Sequence, residues 1–252
     1  MLSLQLEHIM VRYGKRIILK DITVSFCGGE MVAVIGCNGA GKTTLLKALK
    51  HIVKYSGSVS LTDETGQQYP MQDIAYVPQL GAVETRLTVF EIVLLGLVRN
   101  LQWQVTREQA ERVMAMLTKL GLESLSDRSI ADLSGGQKQL VFMAQALVSE
   151  PKVLVLDEPT SALDLRHQLI VMDLARQYTE EHQAITLFVV HDLMLAARYS
   201  QRVLLLEHAG IRMVDIPEKV LKSELLENVY HVALDVERNR AGFFNVIPLR
   251  PI

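Results

Sequence analysis

The sequence predicts an α/β fold built on a parallel sheet. Three observations predict it. The apolar run Val153-Leu154-Val155-Leu156 ends abruptly in Asp157-Glu158, and a second run, Ile185 to Val190, ends in His191. Runs of this length that are almost wholly apolar suit strands covered on both faces, as in parallel sheets. A glycine-rich loop, Gly36 to Gly41, lies between a short apolar run and a helical pattern, which is a strand–loop–helix arrangement.

Taken in order, residues 2–35 read as strands. Leu2, Leu4 and Leu6 alternate, Ile22, Val24 and Phe26 alternate again, and Met31 to Ile35 reads as a buried strand. The loop follows, then a helix through Leu45, Leu46, Ala48 and Leu49. Gly57 to Leu61 and Ile74 to Val77 read as further short strands. From about residue 80 to 150 the pattern is helical. Thr88 with Glu91, Thr106 with Gln109 and Ser134 with Gln137 each place Glu or Gln three residues after a capping Thr or Ser. That spacing marks a helix N-terminus, because the two side chains satisfy backbone N–H groups reciprocally. The α/β pattern resumes at Val153, and no internal repeat or low-complexity linker divides the chain.

Composition narrows the function classes. Of 252 residues, 49% are hydrophobic and 21% charged, so a packed core rather than disorder is expected. The formal net charge of -2, with no basic block, argues against a nucleic-acid-binding surface. Cys27 and Cys37 are the only cysteines, too few for a disulfide framework, so a reducing compartment is expected. The N-terminus lacks the features of a signal peptide. The apolar stretch Ile92 to Val98 is far short of the roughly 20 residues that cross a bilayer. A membrane role would therefore come through a partner.

The chemistry is carried by a few segments. Gly36-Cys37-Asn38-Gly39-Ala40-Gly41-Lys42-Thr43, with Thr44 next, satisfies G-x-x-x-x-G-K-[ST]. Glycines let the backbone curl so that its N–H groups face phosphate oxygens, and the following helix adds its positive end. Lys42 is placed to reach the β- and γ-phosphates and Thr43 to hold Mg²⁺. At the end of the later apolar run, Asp157 is the candidate Mg²⁺ ligand and Glu158 the candidate base for an attacking water. An acidic strand end alone reads as easily as a solvated turn; the phosphate loop favours the catalytic reading. Cys37, near a helix N-terminus and Lys42, is expected to favour the reactive thiolate, with a buried inert thiol as the alternative. His167, His182 and His231 fit no ligand spacing and read as surface or packing residues, with no protein-bound zinc expected.

Leu133-Ser134-Gly135-Gly136-Gln137 resembles the signature of ABC-family ATPases, and further landmarks of that family follow in order over essentially the whole chain. Tyr13 resembles the aromatic residue that stacks on adenine, and Gln79 the Q-loop glutamine, which also reaches the metal. Ser161-Ala162-Leu163-Asp164 resembles the D-loop, and His191 the switch histidine that contacts the γ-phosphate. The resemblance implies a P-loop NTPase core of ABC type with an N-terminal antiparallel β subdomain and an inserted helical subdomain. Residues 1–79 and 151–252 would form the ATP-binding core and residues 80–150 the helical insert. It implies ATP and Mg²⁺ as cofactors, with Glu158, His191 and Gln79 catalytic. It also implies a second copy of the chain, whose Ser134 helix would face the γ-phosphate in an ATP sandwich dimer.

Asp164-Leu165-Arg166-His167-Gln168, the stretch from His191 to Tyr199, and Ile216-Pro217-Glu218-Lys219-Val220-Leu221 continuing to Val229-Tyr230 are similar to ATPases of bacterial iron–siderophore, haem and cobalamin importers. That similarity implies two permease subunits, an extracytoplasmic substrate-binding protein acting indirectly, no nucleic acid, and a place at the cytoplasmic face of the membrane. Residues about 80–105, with Arg86 and Arg99, are the expected permease-docking surface. A soluble ATPase of a metal-cluster assembly complex, or another ABC transporter class, would carry the same catalytic residues. The chain departs from the family pattern in three places: Cys37 in the loop, Lys138 and Leu140 behind the signature, and Glu207-His208-Ala209-Gly210 near the last strands.

Overall fold

The alternating N-terminal sequence forms two long antiparallel strands, β1 (Ser3–Tyr13) and β2 (Arg16–Cys27), in a computed structural model that describes residues 1–79, 85–97, 105–240 and 242–252. The alternation changes phase in the middle of each. Leu4 and Leu6 are buried, and so are Ile9 and Val11. His8 (φ 53°) and Asp21 (φ 56°) adopt left-handed backbone where the register shifts, and a bulge returns the later residues to the same face. The two side chains meet, His8 Nδ1 to Asp21 Oδ1 at 2.7 Å. After β3 (Met31–Ile35) and α1 (Lys42–Leu49), β4 (Ser56–Thr62) pairs with the free edge of β1, completing a three-stranded antiparallel sheet, β2-β1-β4.

The second sheet has the order β5-β6-β7-β3-β8-β9, where β5 is Ile74–Val77, β6 Val153–Asp157, β7 Ile185–Val189, β8 Arg202–Glu207 and β9 Gly210–Asp215. The ladders from β5 to β8 are parallel, and β9 joins antiparallel. Its central strands are almost wholly apolar because both faces are covered; the buried Thr186 on β7 shares a hydrogen bond with Thr179. Ala33, Leu154, Leu156, Phe188 and Leu205 face one core, while Val32, Val34, Val155, Leu187 and Leu204 face another, shared with β1, β2 and α1.

The helical stretch contributes α2 (Val89–Leu94), α3 (Arg107–Lys119) and α4 (Gly135–Leu147). All three begin at the expected capping boxes: Thr88 with Glu91, Thr106 with Gln109, and Ser134 with Gln137. Val89, Ile92, Val93, Val113, Leu117 and Val141 build a third core among them. In the stripe expected from Val89 to Val98, Val89, Ile92 and Val93 are core and Phe90, Leu94 and Leu97 pack against it, while Leu95 is exposed; Val98 lies outside the described residues. Lys138 reaches the Ala131 carbonyl at 3.1 Å, and Leu140 packs into the apolar clusters, so both departures behind Ser134 are absorbed structurally. Among the described residues no helix is long and apolar enough to cross a membrane.

Between β6 and β8 lie α5 (Leu165–His182) and α6 (Leu193–Tyr199). The chain ends in α7 (Pro217–Val220), α8 (Ser223–Tyr230) and a two-stranded antiparallel sheet, β10 (Val232–Arg238) with β11 (Phe244–Pro251). Leu226, Val229 and Leu234 seat this C-terminal part on the same core as α5 and α6.

Candidate functional site

Because β3, β5, β6 and β7 run parallel, the segments leaving their carboxyl ends emerge on one edge of the sheet, where open α/β sheets take ligands. Those segments are Gly36 onward, Pro78-Gln79, Asp157-Glu158 and Val190-His191. Topology thus assembles residues that are far apart in sequence.

The glycine-rich loop curls tightly. Gly36 has φ 141°, and a Cβ there would meet the Leu206 carbonyl oxygen at 2.3 Å. Gly41 has φ 103° and lies against Leu19 and Ile18 of β2, so the hairpin carrying Tyr13 borders the loop. Only glycine suits such backbone so close to neighbouring atoms. The Ala40 N–H closes a turn onto the Cys37 carbonyl at 3.1 Å, while Asn38 and Gly39 are exposed at its tip. Lys42, 6% exposed, folds back so that Nζ donates to the carbonyls of Gly36 (2.7 Å) and Cys37 (3.0 Å). Burial holds its ammonium below the ordinary lysine value, against the opposing pull of Glu158, Cys37 and Asp157. Thr43 and Thr44 lie half-buried in the first turn of α1. Tyr13 is 54% exposed at the end of β1, leaving its ring free to serve as a platform.

Next to the loop, the Thr43 hydroxyl donates to Asp157 Oδ1 at 2.9 Å. Tyr76, on β5, donates to the other oxygen, Oδ2, also at 2.9 Å. Burial foremost, with Asp157 adding to it, pushes the Tyr76 hydroxyl far above the usual tyrosine range, so it remains a donor. One residue on, Glu158 has a left-handed backbone (φ 50°). For a residue with a side chain that conformation costs about 1–2 kcal/mol. It is accompanied by two contacts to the carboxylate: Gln79 Nε2 donates to Oε2 at 2.7 Å, and His191 Nε2 meets Oε1 at 2.8 Å. A carboxylate only accepts, so this contact places the histidine hydrogen on Nε2. Gln79, Glu158 and His191 are therefore brought together in one chain, beside Asp157, Thr43 and Lys42.

The Ser161 hydroxyl and N–H both donate to the Glu158 carbonyl, at 2.9 and 3.1 Å, which fixes the start of the 161–164 loop. A cleft of about 220 Å³ opens there, lined by Glu158, Ser161, Ala162 and His191 among others. Asp164 caps α5 and accepts from the His167 N–H and ring. Gly136 in turn lies flat against the His167 ring, where a Cβ would come within 2.3 Å. His167, expected to be a surface or packing residue, thus joins the 161–164 loop to the start of α4. Leu133 is buried, whereas Ser134 and Gly135 present the exposed N-terminus of that helix, with the Ser134 hydroxyl accepting from the Gln137 N–H.

Two findings go beyond the sequence expectation. The Cys37 thiol is half-buried and its Sγ donates to the Val229 carbonyl at 2.9 Å, which lies nearer the buried alternative than the open thiolate. Tyr76 and Tyr230 also touch the site without having been singled out. Tyr230 Oη accepts the Gly36 N–H at 3.0 Å, across 194 positions of sequence. Tyr76 stands in the run that leads to Gln79, and the glutamine was its only nearby signal.

Comparison with known proteins agrees with this geometry. The family described as ABC transporter matches residues 19–161. A siderophore transport system ATP-binding protein of Bacillus subtilis is 32% identical, covering 95% of this chain and 90% of its own. A hemin import ATP-binding protein of Aliivibrio fischeri is 36% identical, covering 91% and 90%. A solved structure described as an inward-facing metal-chelate type ABC transporter superposes with a TM-score of 0.86 at 28% identity, over 99% of this chain and 98% of that one.

Proposed function

Because this chain belongs to the ABC transporter family of ATP-binding proteins, which hydrolyse ATP to drive transport, we propose that it powers import of an iron–siderophore, haem or related metal chelate such as cobalamin. The siderophore and hemin import proteins support the cargo class, and so does the metal-chelate type transporter. Two copies would sit under two permease subunits at the cytoplasmic face of the membrane, supplied by an extracytoplasmic substrate-binding protein.

In this reading ATP stacks its base on Tyr13 and lays its phosphates along the N–H groups from Asn38 to Thr44. Lys42 Nζ exchanges backbone carbonyls for phosphate oxygens. Thr43 and Asp157 offer adjacent hard oxygen donors, 2.9 Å apart, a donor set that suits Mg²⁺, with Gln79 as a further candidate ligand. Bound there, Mg²⁺ would neutralise charge on the β- and γ-phosphates. Glu158 accepts the proton of the attacking water. His191 and Gln79, already hydrogen-bonded to its carboxylate, orient it and meet the γ-phosphate.

The second half of each ATP site comes from another copy. The exposed N-terminus of α4, with Ser134, Gly135, Gly136 and Gln137, would meet the partner's γ-phosphate, and the 161–164 loop would lie between the two sites. Leu165, next to that loop and 79% exposed, is an apolar side chain that such a contact would cover. Closure around two ATP molecules and reopening after loss of the γ-phosphate would transmit force. The chain then divides into residues 1–79 with 151–252 as the ATP-binding core and 80–150 as the helical insert. A cleft of about 360 Å³ between β5 and α4, lined by Tyr76, Pro78, Gly96 and Phe142 among others, borders the segment proposed to receive the permease. Within the proposed 80–105 surface Arg86 is exposed, while Arg99 lies outside the described residues.

The convergence of Gln79 and His191 on Glu158 carries the catalytic assignment. Glu158→Gln should bind ATP as the wild type does and accumulate as a closed dimer on size exclusion. Its hydrolysis should fall by roughly 10²-fold or more, the loss expected for a positioned base. Wild-type turnover by this variant would remove Glu158 from the role.

A further inference from the structure

We propose that Tyr230 is a positioning residue for the phosphate loop, so that the C-terminal helix α8 sets the geometry in which ATP is bound. The inference rests on the reading of residues 36–44 as the ATP cradle. It starts from an asymmetry in how that loop is held. On the side of its carbonyl oxygens, the Lys42 ammonium fastens Gly36 and Cys37 at 2.7 and 3.0 Å, and the Cys37 carbonyl also accepts the local Ala40 N–H at 3.1 Å. The Lys42 fastener is lost when the ammonium turns to phosphate. On the other side, the Gly36 N–H donates to Tyr230 Oη at 3.0 Å and the Cys37 Sγ donates to the Val229 carbonyl at 2.9 Å. These two contacts involve no group that a phosphate would compete for, so they persist through nucleotide binding.

The anchor itself is firm. Val229 is 3% exposed, and Leu226, one turn earlier, is fully buried in the core beneath the sheet. Tyr230 and Cys37 pack against that same core. Burial pushes the Tyr230 hydroxyl up to about 12, so it stays neutral and keeps an oxygen lone pair directed at Gly36. Gly36 cannot supply its own restraint: its backbone is in a region open mainly to glycine, and it abuts the Leu206 carbonyl. Tyr230 also lines a cleft of about 260 Å³ with His191, Asp192 and Met194, so the end of α8 borders the histidine segment as well as holding the phosphate loop. Binding of a polyphosphate by backbone donors depends on their preorganisation, and a loop freed at its first residue must be ordered by the ligand instead.

The test uses the full-length chain, ATP, and Tyr230→Phe, which keeps the ring and deletes only the acceptor. The Kd for ATP, and the KM of hydrolysis with it, should rise about 5- to 10-fold, the worth of one neutral hydrogen bond plus its ordering role. The kcat should stay within about twofold, because Glu158, His191 and Gln79 are untouched. In the nucleotide-free protein the Gly36 amide should exchange with solvent about 10-fold faster by NMR, with the unfolding transition little moved. Cys37→Ala, which removes the second contact, should weaken ATP binding in the same direction, and Cys37→Ser, which restores a donor, should recover it. Unchanged ATP affinity and Gly36 exchange in Tyr230→Phe would overturn the inference, as would a loss confined to kcat. Lys42→Ala separates the two levels. If it abolishes ATP binding while Tyr230→Phe behaves as wild type, the cradle stands and the role of Tyr230 falls. If it binds ATP normally, the cradle reading fails and the inference fails with it.

Discussion

Asp157 receives two hydrogen bonds from opposite directions, Thr43 on one oxygen and Tyr76 on the other, and this fixes the plane of its carboxylate. Groups behind a metal ligand hold it in the orientation the metal needs, and their loss typically costs about 10- to 100-fold in metal affinity. Tyr76→Phe should therefore raise the Mg²⁺ concentration for half-maximal hydrolysis by about 10-fold or more. Binding of ATP in EDTA should not change, because Lys42 and the loop amides are intact. A Mg²⁺ dependence equal to that of the wild type would show that Tyr76 merely packs. The placing of Lys42, Thr43 and Glu158 at one edge of the sheet was legible in the sequence, because local spacing puts each at the carboxyl end of an apolar strand. Tyr76 was not, because its partner lies 81 positions away and becomes a neighbour only when β5 pairs with β6. Cys37 shows the limit from the other side: its local surroundings left a reactive thiolate and a buried thiol both open, and the carbonyl from α8 that engages the sulfur has no local sign in the sequence.

At the scale of elements, the three helix starts at Thr88, Thr106 and Ser134 were readable since a capping box is complete within four residues. The final hairpin was not. Much of β11 is exposed and it carries Pro248 and Pro251, so no clean alternation marks it as a strand. The turn after β4 shows how a short loop gains rigidity. Asp63 accepts from the Thr65 N–H (2.9 Å) and hydroxyl (2.6 Å), the Gln67 N–H (3.1 Å) and the Tyr69 hydroxyl (2.8 Å). These bonds, the Thr65 and Tyr69 hydroxyls foremost, lower its carboxyl from 3.8 to about 2. A carboxylate with a depressed folded value stabilises the fold above its unfolded value and loses that contribution as pH falls through the folded one. Wild type should thus exceed Asp63→Asn in urea midpoint at pH 7 and pH 5, with the gap narrowing from about pH 4 towards pH 2. A gap independent of pH would mean that the charge plays no part.

For the whole molecule, two helix N-termini carry the proposed phosphate contacts: that of α1 within the chain's own loop, and that of α4, exposed and tied through Gly136 and His167 to the 161–164 loop. The order of these parts was legible, but the tie was not, because a histidine that matches no ligand spacing gives no local sign that a glycine will rest on its ring. The two-copy arrangement predicts complementation. Ser134→Arg and Lys42→Ala chains, each inactive alone, should form mixed dimers with one intact composite site, detectable by nucleotide trapping in isolated heterodimers. Two equally damaged sites in those dimers would sink the arrangement. The same exposed helix end and the bare Leu165 have a kinetic consequence. In the proposed two-copy arrangement a lone chain would hold half of each catalytic centre, so turnover by the free ATPase would follow mass action between copies. Its specific activity should fall in proportion to dilution below the dimer dissociation constant. Tethering two copies to one permease pair, as proposed, would turn that encounter into an intramolecular one, at an effective concentration of about millimolar if the geometry allows both to engage. In that arrangement the carrier would switch on its motor by proximity alone.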